Sequence, residues 1–232
     1  MRLQKISKRI GIIVLVLVLA VVASIVVLAL IKDKDSKTYD EKVAAFADEN
    51  PSLEKGQIVF LGDSITAGYR LGYHYRGFDL EVYNRGISGD TTNWLLARLQ
   101  ISLIDIAPSK IVLMIGTNDI NLGKSVEEIA QNYQSILQLI SSTLPDAEVW
   151  CVSIIPQNNK YSAQAQENNE RIQETNRQIE HLASAYDYQY VNLYDEMIDK
   201  DGLLKRSYST DGLHLNFWGY CVWTDVLKER LC

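Results

Sequence analysis

Residues 58–65 read Ile-Val-Phe-Leu-Gly-Asp-Ser-Ile, an uninterrupted apolar run that ends in Gly62-Asp63-Ser64. Four apolar residues closed by a glycine predict a short buried strand, and they place a serine at its exit. The same arrangement recurs along the chain. Strands are expected at Leu80–Tyr83, Ile111–Ile115, Val149–Ile155 (closed by Pro156) and Tyr190–Leu193. Between them lie helical stripes. Leu95, Leu96, Leu99 and Leu103 mark a helix over Thr92–Ile104, and Ile129, Tyr133, Ile136, Leu137 and Ile140 one over Val126–Leu144. Ile172, Ile179 and Leu182 mark a third over Gln164–Tyr186, and Trp218–Leu227 reads as the last. Short strands alternating with helices predict an α/β fold, a parallel sheet with helices on both faces. Such sheets bind ligands beyond the carboxyl ends of their strands. Ser64, Gly86 and Gly116 each fall there.

The residues at those ends suit acyl transfer, which needs a nucleophile, a base, a group that orients the base, and donors for an oxyanion. Ser64 is the candidate nucleophile, although a serine at a helix start is also a common cap. His214, in Asp211-Gly-Leu-His214, is the candidate base. Asp211, three residues earlier, can reach the imidazole across a local turn and hold one tautomer. His74, in the aromatic stretch from Tyr69 to Phe78, is a rival base, and that stretch reads as a loop or helix near the mouth of the site. Asp63 and Asp119 are weaker candidates for the orienting acid and could instead fix loops. The Gly89 amide, in Gly86-Ile-Ser-Gly89, and the Asn118 side chain, in Gly116-Thr-Asn118-Asp119, are candidate oxyanion donors. A bare turn and an Asx-turn are their plain alternatives.

In their order, the blocks Gly62-Asp63-Ser64-Ile65, Asn84-Arg-Gly86-Ile-Ser-Gly89, Gly116-Thr-Asn118-Asp119 and Asp211-Gly-Leu-His214 resemble those of the GDSL, or SGNH, hydrolases. Ile65 replaces the leucine of the first name. The likeness spans roughly residues 56–230, within the acetylhydrolase-like and lysophospholipase-like branch. It implies a flavodoxin-like three-layer α/β/α fold and hydrolysis of carboxylic esters through an acyl-enzyme. It also implies Ser64, Asp211 and His214 as the triad, with the Ser64 amide joining Gly89 and Asn118 in the oxyanion hole. No G-x-S-x-G elbow is present.

The N-terminal end has a different character. Ile10 to Ile31 is a run of 22 residues without charge. As a helix it would measure about 33 Å, close to the thickness of a bilayer core. It exceeds the apolar region of a cleaved signal peptide, and Ala29-Leu30-Ile31 offers no cleavage site. Arg2, Lys5, Lys8 and Arg9 precede it, which favours an inside N-terminus. The expected organisation is a basic cytoplasmic tail (1–9), a transmembrane helix (10–31), a stalk with a possible short helix (32–55) and a hydrolase domain (56–232) outside the cell membrane. The whole chain carries 23 basic and 29 acidic side chains. Setting aside the four basic residues before the span leaves a net charge of about −10, which excludes a nucleic-acid footprint. Cys151, Cys221 and Cys232 are too scattered for a disulfide framework, and pairing of Cys221 with Cys232 would need the fold to bring them together. Neither the cysteines nor the three histidines show metal-ligand spacing, so no metal or cofactor is expected.

The expected partner is a small-molecule, glycan-ester or lipid-ester substrate. A small acyl pocket would point to acetylated glycans, and a long apolar groove near Tyr69, Tyr73 and Trp94 to lipid acyl chains, where lysophospholipase-like, lipase-like or thioesterase activity is the alternative. A catalytically inactive glycan-binding module is the alternative of another class. The sequence leaves the oligomeric state open.

Overall fold

The computed structural model describes residues 38–231. The run expected to span a membrane, 10–31, lies outside the described residues, as does Cys232. Among the described residues no helix is long and apolar enough to cross a membrane. The chain divides into two compact units, Met1–Ala44 and Ala45–Cys232. Of the first, residues 38–44 are helical. The second opens with helical residues 45–49 and contains everything that follows.

Five parallel strands form its sheet: β1 (Ile58–Gly62), β2 (Val82–Gly86), β3 (Lys110–Met114), β4 (Glu148–Val152) and β5 (Gln189–Val191). Their order is β2-β1-β3-β4-β5, the doubly wound order that the flavodoxin-like expectation requires. The order reverses between β1 and β3, so the crevice at their carboxyl ends is the expected ligand site. Alternation along β1 explains the layers. Val59 and Leu61 face one core with Leu95, Leu99, Ile129, Ile136 and Ile179. Ile58 and Phe60 face the other, with Tyr69, Tyr220, Trp223 and Leu227. One outer layer is therefore built from α3 (Thr92–Ala97), α4 (Leu99–Ser102), α6 (Val126–Thr143) and α7 (Ala165–Ala185). The other is built from α1 (Ser64–Ala67), α2 (Leu71–His74) and α9 (Phe217–Leu231). The short α5 (Thr117–Asn121) and α8 (Tyr194–Met197) follow β3 and β5.

Helix starts follow from local chemistry. Ser125 Oγ accepts the Glu128 amide at 3.1 Å, with Glu127 and Glu128 in the first turn of α6, the acidic end that a helix dipole favours. Two elements differ from expectation. The second strand runs over Val82–Gly86 rather than Leu80–Tyr83. It is an edge strand carrying Asn84 and Arg85, so its pattern is not apolar. The helix expected over Thr92–Ile104 breaks at Arg98, whose side chain turns inward onto Asp90.

The domain reaches further upstream than residue 56. Phe46 is buried, the Arg85 guanidinium lies 4.3 Å from its ring centroid, and Arg85 pairs with Glu49 at 2.7 Å. Residues 45–50 thus cap the outer edge of β2.

Candidate active site

Ser64 opens the one-turn helix α1, two residues past the end of β1. Asp63 caps that helix, its Oδ1 accepting the Ile65 amide at 2.9 Å. His214 arrives from the loop before α9. Its Nε2 lies 3.0 Å from Ser64 Oγ, and its Nδ1 lies 2.7 Å from Asp211 Oδ2. Residues 150 positions apart in sequence thus meet in one hydrogen-bonded line.

The acid that orients the imidazole also builds the turn that carries it. Asp211 Oδ1 accepts the backbone amides of Leu213 at 2.9 Å and His214 at 2.8 Å, an Asx-turn arrangement. Ser209 Oγ donates to the same oxygen at 3.2 Å and accepts the Gly212 amide at 2.8 Å. Gly212 has φ +91°, and a Cβ there would stand 2.8 Å from the Tyr161 backbone nitrogen. Only glycine lets this turn close against residues 158–161, where the Asn158 amide donates to the Gly212 carbonyl at 2.8 Å. Partial burial raises the Asp211 pKa, but hydrogen bonds from the His214 ring and from the Leu213 and His214 amides outweigh it. The carboxyl is held well below its ordinary range. Asp211 is therefore ionised at neutral pH and accepts from Nδ1–H, which assigns the Nε2 lone pair to the Ser64 side.

Gly89 is the third residue of a turn closed by the Asp90 amide on the Ile87 carbonyl at 3.2 Å, and its φ is +81°. A positive φ at that position is what a type II turn requires, and glycine supplies it without strain. Asn118 lies in α5, and its Nδ2 donates to the Asp90 carbonyl at 2.8 Å. An amide nitrogen carries two hydrogens, so a second remains for a ligand. The two expected oxyanion donors are thus joined through one residue, Asp90.

Asp90 was not singled out by its sequence setting. Its carboxylate is buried and pairs with the buried Arg98 at 2.7 Å. Arg98 also donates to Ser102 Oγ at 2.8 Å and to the Gly62 carbonyl at 3.1 Å, tying the turn after β2 to the end of β1. Asp119 accepts the Thr92 amide at 2.9 Å and the Thr92 hydroxyl at 2.7 Å. It fixes a loop and does not orient His214. Asp63 likewise is not the orienting acid. Its Oδ2 is buried without a partner, and burial, with neighbouring Asp90 adding, raises its pKa to about 7 against the lowering bond from Ile65.

His74 is not placed as the base. Its Nδ1 lies 2.9 Å from Thr224 Oγ1, its ring packs near Tyr69, Tyr73 and Phe217, and desolvation lowers its pKa. The stretch from Tyr69 to Phe78 is only partly at the mouth. Tyr69 and Tyr75 are core residues, and the Tyr69 ring stacks on Tyr220 at 4.7 Å between centroids. Tyr73 is exposed, as are Phe217 and Trp218 just beyond His214. Cys151 is buried, and both it and Cys221 are free thiols. Among the described residues no group of three His, Cys, Asp or Glu side chains is placed to hold a metal.

A doubly wound parallel sheet with a serine, an imidazole and a carboxylate in line beyond its switch point defines a serine hydrolase. Residues 60–222 match the GDSL-like Lipase/Acylhydrolase family, and the chain belongs to that family. Among curated proteins it is 30% identical over 177 residues to the platelet-activating factor acetylhydrolase IB subunit alpha2 of Rattus norvegicus, covering 75% of each chain. Among solved structures it resembles one from Streptococcus pneumonia described as a platelet activating factor. That match has a TM-score of 0.82 and 35% identity, covering 88% of this chain and 98% of that one. A GDSL-like lipase from Bacteroides thetaiotaomicron gives a TM-score of 0.73 at 25% identity, covering 82% and 96%.

Proposed function

We propose that the chain hydrolyses short acyl esters, acetyl foremost, through an acyl-enzyme on Ser64. The line Ser64 Oγ, His214 Nε2, His214 Nδ1, Asp211 Oδ2, with links of 3.0 and 2.7 Å, carries this reading. Ser64 Oγ attacks the carbonyl carbon while His214 Nε2 takes its proton. The tetrahedral oxyanion forms against the amides of Ser64 and Gly89 and the second hydrogen of Asn118 Nδ2. His214 then passes its proton to the departing alkoxide, which leaves as the alcohol. Water attacks the acyl-enzyme next, His214 again taking a proton, and Ser64 is regenerated with release of the carboxylic acid. Asp211 stays ionised throughout and stabilises the imidazolium.

Two observations support a short acyl group. The burial of Tyr69 in the core removes one wall of the apolar groove that a long chain would need. The curated relatives carry acetylhydrolase in their names. A second reading, long acyl chains of lipid esters, is favoured by exposed Tyr73, Phe217 and Trp218 beside His214. A series of p-nitrophenyl esters from acetate to decanoate separates the two. The expected optimum is at acetate or propionate, and a maximum at octanoate or longer overturns the short-acyl reading. A serine-directed organophosphorus probe should label the wild-type chain and not Ser64→Ala. Equal labelling of both would remove Ser64 from the reaction.

We propose also that residues 10–31 anchor the chain in the cell membrane with the hydrolase domain outside. The uncharged run and the basic residues before it support this. Recovery of the full chain in the alkali-resistant membrane fraction, with the domain cleaved by protease added to intact cells, is the expected result. Recovery as a soluble protein would overturn it.

A further inference from the structure

A cleft of about 540 Å³ lies between α5 and the start of α7, with Asn121, Tyr161, Glu167, Asn168 and Arg171 among its walls. Its volume falls in the ordinary range for small-molecule sites, roughly 300–1,000 Å³. Two connections tie its walls to the elements that carry the catalytic groups. Asn121 is three residues beyond Asn118 on the same short helix, hence on the same side of it. Tyr161 sits on the segment whose backbone packs against Gly212, between Asp211 and His214. Asn121 Nδ2 donates to the Tyr161 hydroxyl at 3.3 Å, so the two sides meet at the cleft.

The walls are polar and held from below. Gln157, wholly buried, donates through Nε2 to Asn121 Oδ1 at 2.7 Å and accepts from Asn168 Nδ2 at 3.0 Å. One buried amide therefore fixes two others at the cleft. Arg171 is also held in place, donating to the Ile120 carbonyl at 3.0 Å and to the Lys124 carbonyl. Amides fixed before the ligand arrives cost little to order on binding. Tyr161 adds an exposed aromatic ring. An acyl chain is a poor occupant, because it would strip water from these amides and return no hydrogen bonds. A phosphate or carboxylate is a weaker match, because Arg171 has two of its five N–H groups turned to the Ile120 and Lys124 carbonyls and Glu167 in the same wall offsets its positive charge. A neutral ring with many hydroxyls and an apolar face matches fixed amides, a carboxylate acceptor and an aromatic plane together.

We propose that this cleft is the subsite for the alcohol half of the ester, and that it takes a neutral pyranose ring of an O-acylated saccharide. The inference rests on ester hydrolysis at Ser64 and names its substrate class. The test compares kcat/KM for 6-O-acetylcellobiose with kcat/KM for p-nitrophenyl acetate, in the wild-type chain and in Tyr161→Ala, Tyr161→Phe and Asn168→Ala. The ratio of the first to the second should fall at least tenfold in Tyr161→Ala and at least fivefold in Asn168→Ala, chiefly through KM for the sugar ester. Tyr161→Phe, which keeps the ring, should recover most of the loss. Wild-type turnover of both esters with ratios within twofold of wild type in both alanine variants would overturn the subsite and leave the esterase reading standing. Hydrolysis of neither ester by the wild-type chain would overturn both.

Discussion

Asn118, in the short helix α5 after β3, and Asp90, in the turn after β2, are joined by a 2.8 Å hydrogen bond from the Asn118 side chain to the Asp90 carbonyl. The bond uses one amide hydrogen and so aims the other. Asp90 adjoins Gly89, and its own carboxylate is locked to Arg98, which reaches the end of β1. The three loops that line the crevice are therefore braced before any substrate arrives. An oxyanion hole needs that preorganisation, since donors already in place need no rearrangement as charge develops.

Asn118→Ala should lower kcat on p-nitrophenyl acetate by about 10²–10³, or roughly 3 kcal/mol, with little change in KM. The loss should appear in kcat because the donor acts on the oxyanion rather than on the ground-state carbonyl. A kcat within threefold of wild type would show that Asn118 serves only to hold the Asp90 turn.

Gly89→Ala isolates backbone geometry from space. An added methyl meets nothing within 4 Å, but φ at +81° is strained for alanine, by roughly 1–2 kcal/mol. The chain should lose about that much stability in urea unfolding. If the turn relaxes toward negative φ, the Gly89 amide swings away, and kcat should fall about tenfold or more. Wild-type kcat together with the stability loss would remove the Gly89 amide from the reaction.

Much of this site is legible in the sequence, because its parts sit at strand ends and strand ends are marked by apolar runs closed with glycine. Ser64, Gly89 and Asn118 can each be placed that way, and the Asp211–His214 pair by its three-residue spacing across a turn. The misread portions share a physical cause. Leu80–Tyr83 is the more apolar segment, yet the strand is Val82–Gly86, because an edge strand tolerates Asn84 and Arg85, which find partners in Thr66, Tyr69, Glu49 and Asn50. Tyr69 looks like a mouth residue among polar neighbours. Its hydroxyl is satisfied inside the fold by Thr224 at 2.7 Å, so the ring can be buried. The Asp90–Arg98 brace is invisible to hydrophobic patterning, because nothing in a periodicity says that a charged side chain points inward. Each miss is a polar group whose partner lies far away in sequence or on the inner side of a turn.

Arg98→Met tests the brace directly. Removing one member of a buried ion pair leaves the other charge unpaired and typically costs about 3–5 kcal/mol. Thermal unfolding should show Tm lower by about 10 °C, and kcat should fall as the Gly89–Asp90 turn loosens. Adding Asp90→Asn to Arg98→Met should return part of the stability, since the buried charge is then gone. No recovery in the double variant would mean that the cost lies in the lost Gly62 and Ser102 contacts rather than in the orphaned carboxylate.

Asp63 carries the last prediction, through the pH dependence of stability. Its carboxyl is buried, one oxygen has no partner, and burial raises its pKa to about 7 from the 3.8 expected of an unfolded chain. A raised pKa means that the folded state binds the proton more tightly. The stability this provides is complete below about pH 4 and drains away as pH climbs toward and past 7. The whole effect amounts to about 4 kcal/mol. Asp63→Asn keeps the capping oxygen for the Ile65 amide and removes the titration. Between pH 4.5 and pH 8 the Tm of the wild-type chain should therefore fall relative to Asp63→Asn, by about 5–10 °C. Asp90, raised to about 6 by burial against the opposing pull of Arg98, titrates in the same direction in both chains, so only its coupling to Asp63 stays in the difference. Parallel Tm curves across that range would place the Asp63 proton outside the folding equilibrium. A difference that grew toward acid instead would mean that the ionised carboxylate is the form the fold prefers.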